Sequence, residues 1–161
     1  MAGGAVVVPR FLVAGEIRSI PLETLKFGDK VPIVAAVAEI IIPKTDIPGA
    51  KDLGVQLFVL KMVEDCYEEE VQHTFLKGLE QLDLLSNQRF GKDFIKCSAK
   101  NQASIVQNIE EASELPNELL DCYAIMKRRT IQGYMTSEYV LTKQLVYEVA
   151  PGRYNGYHRV N

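Results

Sequence analysis

An almost wholly apolar stretch, Val31 to Ile42 ("VPIVAAVAEIII"), has Glu39 as its only charged residue. Pro32 suits the first turn of a helix, because proline lacks the amide hydrogen that a helix leaves unpaired there. Pro43 is placed to end the helix. The β-branched residues would also suit a buried strand, but twelve residues that include three alanines favour a helix. The pattern therefore predicts a buried helix over Val31–Ile42.

Apolar residues recur at helical spacing in four further segments, each with a recognisable start. These segments begin near Val55, Val71, Ser98 and Pro116. Alternation with a period of two is convincing only in "LVYEV" at 145–149, which would form a short strand or an extended tail. The chain is therefore predicted to be all-α. We expect a compact single-domain bundle of about five or six helices that ends in an irregular, aromatic carboxy-terminal tail.

The length and charge of the chain narrow its possible functions. A chain of 161 residues suits one domain, and its 47% hydrophobic content is ample for a single core. The net charge of −3 argues against a nucleic-acid partner, because phosphate binding needs clustered Lys and Arg. The dense basic run Lys127–Arg129 is interpreted as a solvated helix face. Uninterrupted apolar runs are too short to predict a transmembrane helix.

The three cysteines, Cys66, Cys97 and Cys122, lack the close spacing that is typical of zinc, haem or iron–sulfur motifs. We interpret them as buried, inert thiols. A disulfide with one spare thiol stays open if the compartment is oxidising. A cluster-bearing electron-transfer subunit remains an alternative function.

Residues with acid–base chemistry are few and scattered. His73 and His158 have no catalytic motif beside them and are interpreted as surface residues. Thr45 and Asp46, in the loop "PKTDIPGA", have side chains suited to satisfying loop amides, and surface recognition is the alternative role. A stand-alone, hydrolase-like enzyme that uses Asp46 with a histidine stays open. We assign no catalytic, cofactor-binding or metal-binding residue, and an interaction subunit is favoured.

The last predicted helix places Thr130, Gly133 and Tyr134 on one face. A glycine inside a helix costs about 1 kcal/mol relative to alanine. Close approach of another part of the structure is expected to offset this cost. Two alternatives follow: packing inside the chain, against its own tail, or packing against a partner.

Four stretches, in this order along the chain, resemble the gluconate 2-dehydrogenase subunit 3 family: "IIIPKTDIPGAKDLGV", "FLKGLEQLD", "RRTIQGYMTSEYV" and "VAPGRYNGY". The resemblance runs from about Val31 to Tyr157. Such proteins are the small, or gamma, subunits of flavin-dependent sugar and polyol dehydrogenases of bacterial cell envelopes. The resemblance implies a noncatalytic role without a cofactor in this chain. FAD is expected in a large subunit of the glucose–methanol–choline oxidoreductase type, and a cytochrome c subunit often takes the electrons.

The resemblance also implies a role in maturation and export of the large subunit, and a place in the periplasm or cell envelope. Family members typically begin with a twin-arginine signal. Residues 1–15, "MAGGAVVVPRFLVAG", are similar to the end of the apolar run of such a signal, although no twin arginine precedes them. A truncated or misassigned start would explain this difference. We expect residues 1–15 to be the remnant of an export signal, or an apolar arm, and residues 16–161 to form the small-subunit domain.

The carboxy-terminal segment from Tyr134 to Tyr157 is expected to be the main docking surface for the large subunit. It concentrates four tyrosines near turn residues, and aromatic rings are favoured in the cores of interfaces. The "PKTDIPGA" loop is the next candidate. The complete set of candidate interface residues is Thr45, Asp46, Gly49, Thr130, Gly133, Tyr134, Tyr139, Pro151, Gly152, Tyr154, Gly156 and Tyr157.

Overall fold

The computed structural model describes residues 25–111 and 114–145. These ranges contain five α-helices, namely α1 (Val31–Ile41), α2 (Val55–Cys66), α3 (Glu69–Phe90), α4 (Ala99–Glu111) and α5 (Asn117–Met135). Short helical turns occur at Gly28–Lys30, Phe94–Lys96 and Val140–Gln144. No strand is present within the described ranges, so the prediction of an all-α bundle is confirmed.

Helix α1 shows how closely the apolar pattern predicts an element. The helix begins at Val31, has Pro32 in its first turn and ends one residue before the predicted end. Ile33, Val34 and Val37 are buried in the core. The opposite side is not covered to the same degree, since Pro32 is exposed and the next residues along that side are only half-buried. Helix α1 therefore leaves an apolar side at the surface of the described part of the chain.

Helices α3 and α5 touch through their backbones at Gly78. A Cβ atom added to Gly78 would lie 2.3 Å from the Cβ of Cys122 and 2.4 Å from the carbonyl oxygen of Glu118. Both distances are far below van der Waals contact, so only glycine fits. Burial at this crossing raises the pKa of the Cys122 thiol. Since Tyr67, just before α3, contacts Arg128, which lies further along α5 than Cys122, the two helices run antiparallel.

The core is continuous around this crossing and draws on every helix. The largest fully buried side chains are Leu60, Phe75, Leu79, Leu82, Phe94, Ile105, Leu119 and Met126. Phe94 belongs to the short turn between α3 and α4, and its amide donates to Asp83 Oδ1 at 2.9 Å. The turn is therefore fixed to α3 by a hydrogen bond as well as by burial.

A polar contact joins α4 to α5. The hydroxyl of Tyr123 donates to Glu110 Oε1 at 2.7 Å, and the ammonium group of Lys127 donates to the same oxygen. The hydrogen bond from Lys127, followed by that from Tyr123, lowers the pKa of Glu110. Burial, and then the bond to Glu110, raises the pKa of the Tyr123 hydroxyl. The ionised form of Glu110 is therefore the form that stabilises the fold.

Replacing Gly78 with alanine should destabilise the protein. The added methyl group must push α3 away from the backbone of α5, and overpacking of this kind costs about 1–3 kcal/mol or more. The gain in helix propensity offsets at most about 1 kcal/mol. We expect a net loss of about 2 kcal/mol in the free energy of unfolding, measured by urea denaturation followed by circular dichroism. Lys77→Ala, at the exposed neighbouring position, is the matched control and should change stability by less than about 0.5 kcal/mol. A Gly78→Ala variant as stable as the parent would contradict the close crossing.

Glu110→Gln should lower stability in a pH-dependent way. Because the folded state lowers the pKa of Glu110, its contribution is complete above the ordinary value of 4.5 and is lost as the pH falls through the folded-state pKa. The ion pair is partly exposed, so we expect a loss of no more than about 1 kcal/mol at pH 7. The measurement is the free energy of unfolding of both proteins between pH 7 and pH 3, where the difference should shrink. Glu80→Gln, on the exposed side of α3, is the control. A difference that stays constant across this range would rule out the ionic contribution.

Candidate functional site

The loop between α1 and α2, residues 42–54, is held by a carboxylate of α1. The carboxylate of Glu39 accepts hydrogen bonds from the amides of Lys44, at 2.9 Å, and Lys51, at 3.3 Å. A Cβ atom on Gly49 would lie 2.6 Å from the Lys44 nitrogen and 2.8 Å from Glu39 Oε2. Glycine is therefore needed where the loop closes over this carboxylate. We call residues 42–54 the α1–α2 loop.

Helix α5 holds the same loop from the other side. The hydroxyl of Tyr134 donates to the carbonyl oxygen of Pro48 at 3.0 Å. A Cβ atom on Gly133 would lie 2.6 Å from the ring of Phe58 on α2, and Thr130 is fully buried. The structure therefore places Thr130, Gly133 and Tyr134 inside the chain. This agrees with packing inside the chain, and among the described residues the contacts are to α2 and the α1–α2 loop. The predicted contact with the tail lies outside the described residues.

The tip of the α1–α2 loop is the part that solvent reaches. Thr45 and Asp46 are exposed, and Ile47 beside them is 37% exposed. Within the described ranges neither the Thr45 nor the Asp46 side chain makes a hydrogen bond, so the prediction that they satisfy loop amides is wrong. The physical reason is that the Glu39 carboxylate already accepts the hydrogen bonds from the loop amides of Lys44 and Lys51. The tip therefore exposes a hydroxyl, a carboxylate and an aliphatic side chain.

An apolar groove of about 740 Å³ runs along the open side of α1. The α1 groove is lined by Val31, Pro32, Ala35, Ala36, Ile40, Pro43, Ile95, Ala99 and Ala103, with Glu39, Lys51, Gln56 and Gln102 as its polar members. Ile95 is 49% exposed, although an aliphatic side chain of this size is usually buried. Because Pro43 and Lys51 belong to the α1–α2 loop, the groove and the loop form one continuous surface.

A second cleft, of about 510 Å³, lies between the first half of α3 and α5. Val71, Ala124 and Ile125 supply apolar walls, and Tyr67, Glu70, Thr74, Asp121 and Arg128 supply polar groups. We call it the α3–α5 cleft. The oxygen of Tyr67 accepts hydrogen bonds from Arg128 Nη2, at 2.7 Å, and from Arg129 Nε, at 3.0 Å. Lys127 and Arg128 are exposed, as the interpretation of Lys127–Arg129 as a solvated helix face predicts, and each of the three cations also makes a specific hydrogen bond.

The residues needed for a hydrolase are not assembled in the described part of the chain. His73 is exposed on α3, and Asp46 is exposed at the loop tip. Neither lines the α1 groove or the α3–α5 cleft. His158 lies outside the described residues. The structure therefore brings no support for Asp46 acting with His73.

The three cysteines occupy three different environments and are free thiols. Cys122 is buried at the helix crossing, whereas Cys66 is exposed at the end of α2. Cys97 is half-buried, with its sulfur 3.2 Å from the hydroxyl oxygen of Ser86. The prediction of buried thiols is therefore correct for Cys122. It is wrong for Cys66, because the last turn of α2 extends beyond the core. Across residues 25–111 and 114–145, no three His, Cys, Asp or Glu side chains are grouped closely enough to hold a metal ion.

The remaining candidate interface residues are placed only in part. Tyr139 is half-buried and packs against the core. Pro151, Gly152, Tyr154, Gly156 and Tyr157 lie outside the described residues, as do residues 1–15. None of the helices in the described ranges has the length and apolar character needed to cross a membrane.

Comparison with curated proteins and with solved structures gives no match. The sequence profile of the gluconate 2-dehydrogenase subunit 3 family matches residues 29–152. This range contains all five helices, the α1–α2 loop, the α1 groove and the α3–α5 cleft. The match covers most of the chain and agrees with the resemblance seen in the four sequence stretches. The chain therefore belongs to the gluconate 2-dehydrogenase subunit 3 family.

Proposed function

We propose that this protein is the noncatalytic small subunit of a flavin-dependent sugar or polyol dehydrogenase. The observation that carries the proposal is the family match over residues 29–152, which associates the chain with a dehydrogenase complex. Its partner in this proposal is a large subunit of the glucose–methanol–choline type, which binds FAD and carries out the oxidation. A cytochrome c subunit would accept the electrons from the large subunit.

The shape of the α1–α2 loop supports a binding role. Hydrogen bonds to Glu39 and from Tyr134 fix its backbone, and the close packing at Gly49 leaves no space for a larger residue there. A loop that is already fixed loses little conformational entropy when a partner binds it. Its exposed tip and the adjoining α1 groove offer polar groups beside apolar surface, which is the composition of a protein–protein interface. The loop and the groove are therefore suitable for docking a large subunit.

We further propose that the complex works in the periplasm or cell envelope and that this chain assists the maturation and export of the large subunit. Residues 1–15 would then be the end of an export signal. Folding of a large flavoprotein before export would require a companion that recognises its folded surface. The fixed α1–α2 loop is suited to that recognition, because a loop that is already ordered binds a folded surface at a low entropic cost.

Co-expression with the cognate large subunit tests the proposed function. An affinity-tagged small subunit should retain a large subunit that carries visible flavin absorbance, whereas the small subunit purified alone should show none. Cells that lack the small subunit should contain less FAD-loaded large subunit in the periplasmic fraction. Repeated recovery of the small subunit without a flavoprotein, together with normal export of the large subunit in its absence, would reject the proposal.

Removal of residues 151–161 tests the docking role of the carboxy-terminal segment. If Pro151, Gly152, Tyr154, Gly156 and Tyr157 contact the large subunit, the shortened protein should keep its helical circular dichroism but lose its partner. Loss of a few buried aromatic rings can cost about 2 kcal/mol or more in binding. Loss of helical structure would instead show that the segment completes the core. Normal binding by a folded, shortened protein would move the docking surface to the α1–α2 loop.

A further inference from the structure

The outward side of α5 carries a regular row of residues. Asp121, Ala124, Arg128, Ile131 and Met135 follow the alternating spacing of three and four residues that keeps side chains on one line of a helix. Ile131 is 45% exposed and Met135 is 48% exposed. The first three residues of the row line the α3–α5 cleft. We call this row the α5 seam, and its apolar end lies uncovered in the described structure.

Two positive charges meet beside the middle of the seam. The guanidinium groups of Arg128 and Arg129 both donate to the oxygen of Tyr67, and Arg129 also lies over its ring, 5.1 Å from the centroid. Among residues 25–111 and 114–145, the ion pairs are formed by lysines, and neither arginine has a carboxylate within ion-pair distance. Because both guanidinium groups bond to the same oxygen, their like charges lie close together and repel each other. A neutral hydroxyl offsets that repulsion only weakly, so an anion is the ligand these groups favour.

The form of the two side chains indicates which anion fits. A guanidinium group has five N–H donors in a plane, and the bonds to Tyr67 use one donor from each arginine. Arg129 uses one more for Gln132. The donors that remain match the two oxygens of a carboxylate, which arginine binds in a bidentate manner. Both arginines therefore retain donors for a carboxylate supplied from outside the chain.

The rest of the seam specifies what must accompany that carboxylate. About one turn before Arg128, Ala124 and Ile125 form an apolar wall of the cleft together with Val71 of α3. About one and two turns after Arg128 stand Ile131 and Met135. Asp121 and Glu70 also line the cleft, so the carboxylate must be placed at the arginines and not at the Asp121 end. A partner surface that complements the seam must therefore be apolar opposite the cleft, acidic opposite the arginines, and apolar again opposite Ile131 and Met135. An amphipathic helix presents side chains in this order at positions i, i+3, i+4 and i+7.

We propose that the α5 seam docks an acidic, amphipathic helix of the large subunit, with a carboxylate on Arg128 and Arg129 and an aliphatic side chain in the α3–α5 cleft. The proposal rests on the proposed function, because it names the chemistry of the partner surface. It adds to the α1–α2 loop and the α1 groove a docking area on α5. Arginine and buried apolar side chains near the centre of an interface commonly account for most of its affinity.

The test compares two seam variants with two matched controls, using purified large subunit as the probe. Arg128→Glu reverses the charge at the seam, and Lys100→Glu makes the same charge change at an exposed position of α4. Ile131→Ser removes an exposed aliphatic side chain from the seam, and Leu84→Ser does so at an exposed position of α3 that lines neither the α3–α5 cleft nor the α1 groove. A further variant, Ile95→Ser, removes an exposed aliphatic side chain from the α1 groove. We expect each seam variant to weaken binding of the large subunit by about tenfold or more, and the Lys100→Glu and Leu84→Ser controls to change it by less than about twofold. Rising salt should weaken binding of the parent protein more than binding of Arg128→Glu, because screening acts on the charge pair.

The possible outcomes separate this inference from the proposed function. Circular dichroism and thermal melting first establish that each variant is folded, which the exposure of both seam residues favours. A parent protein that binds no large subunit would reject the proposed function itself. A parent that binds, with both seam variants binding equally well, would overturn the seam proposal alone.

Loss of binding in Ile95→Ser without loss in Ile131→Ser would place docking at the α1 groove. Loss of self-association in Arg128→Glu, with binding of the large subunit unchanged, would make a second copy of this chain the occupant. Each of the last two results would also overturn the seam proposal.

Discussion

The contact between the α3 and α5 backbones at Gly78 determines the arrangement of the other helices. Because the Gly78 backbone rests on Cys122 and Glu118, α5 has only a small range of positions relative to α3. The far end of α5 is then directed across α2, where Gly133 rests on Phe58. A glycine at each crossing lets α5 approach two helices more closely than any larger residue would allow. The central helix is therefore positioned by shape, with hydrogen bonds added at its edges.

The same packing decides which chemistry remains at the surface. With one side of α5 against α3 and another against α2 and the α1–α2 loop, Thr130 and Tyr134 become internal. The side that remains carries the arginines and the exposed aliphatic residues Ile131 and Met135. Helix α1 also leaves apolar residues at the surface, because the core covers one of its apolar sides and the other lines the α1 groove. Both surfaces are consistent with a subunit whose described part is completed by contact with another protein.

Local sequence patterns predicted the helices well because helix formation depends on spacing over three or four residues. The pattern places the start of α1 correctly and its end within one residue. It also places the start of α4 near Ser98, whose hydroxyl oxygen accepts a hydrogen bond from the Asn101 amide. The site was harder to predict, because its contacts join residues far apart in the chain. Tyr67 meets Arg128 across 61 positions, and no local pattern records such a pair. Glu39 left one usable signal, a single charge in an apolar stretch, which indicates a buried or capping role. Residue type alone favours Thr45 and Asp46 instead, because threonine and aspartate suit turns in general.

The hydrogen bond between Tyr134 and Pro48 spans 86 positions and affects the order in which the protein forms. The α1–α2 loop is synthesised early, yet the hydroxyl that fixes it belongs to the last of the five helices. Domains generally begin folding from the amino terminus during synthesis, but this loop must wait for α5. The α1–α2 loop therefore reaches its final shape only in a chain that has been synthesised beyond α5. A partner that recognises the fixed loop would bind completed subunits and pass over nascent ones.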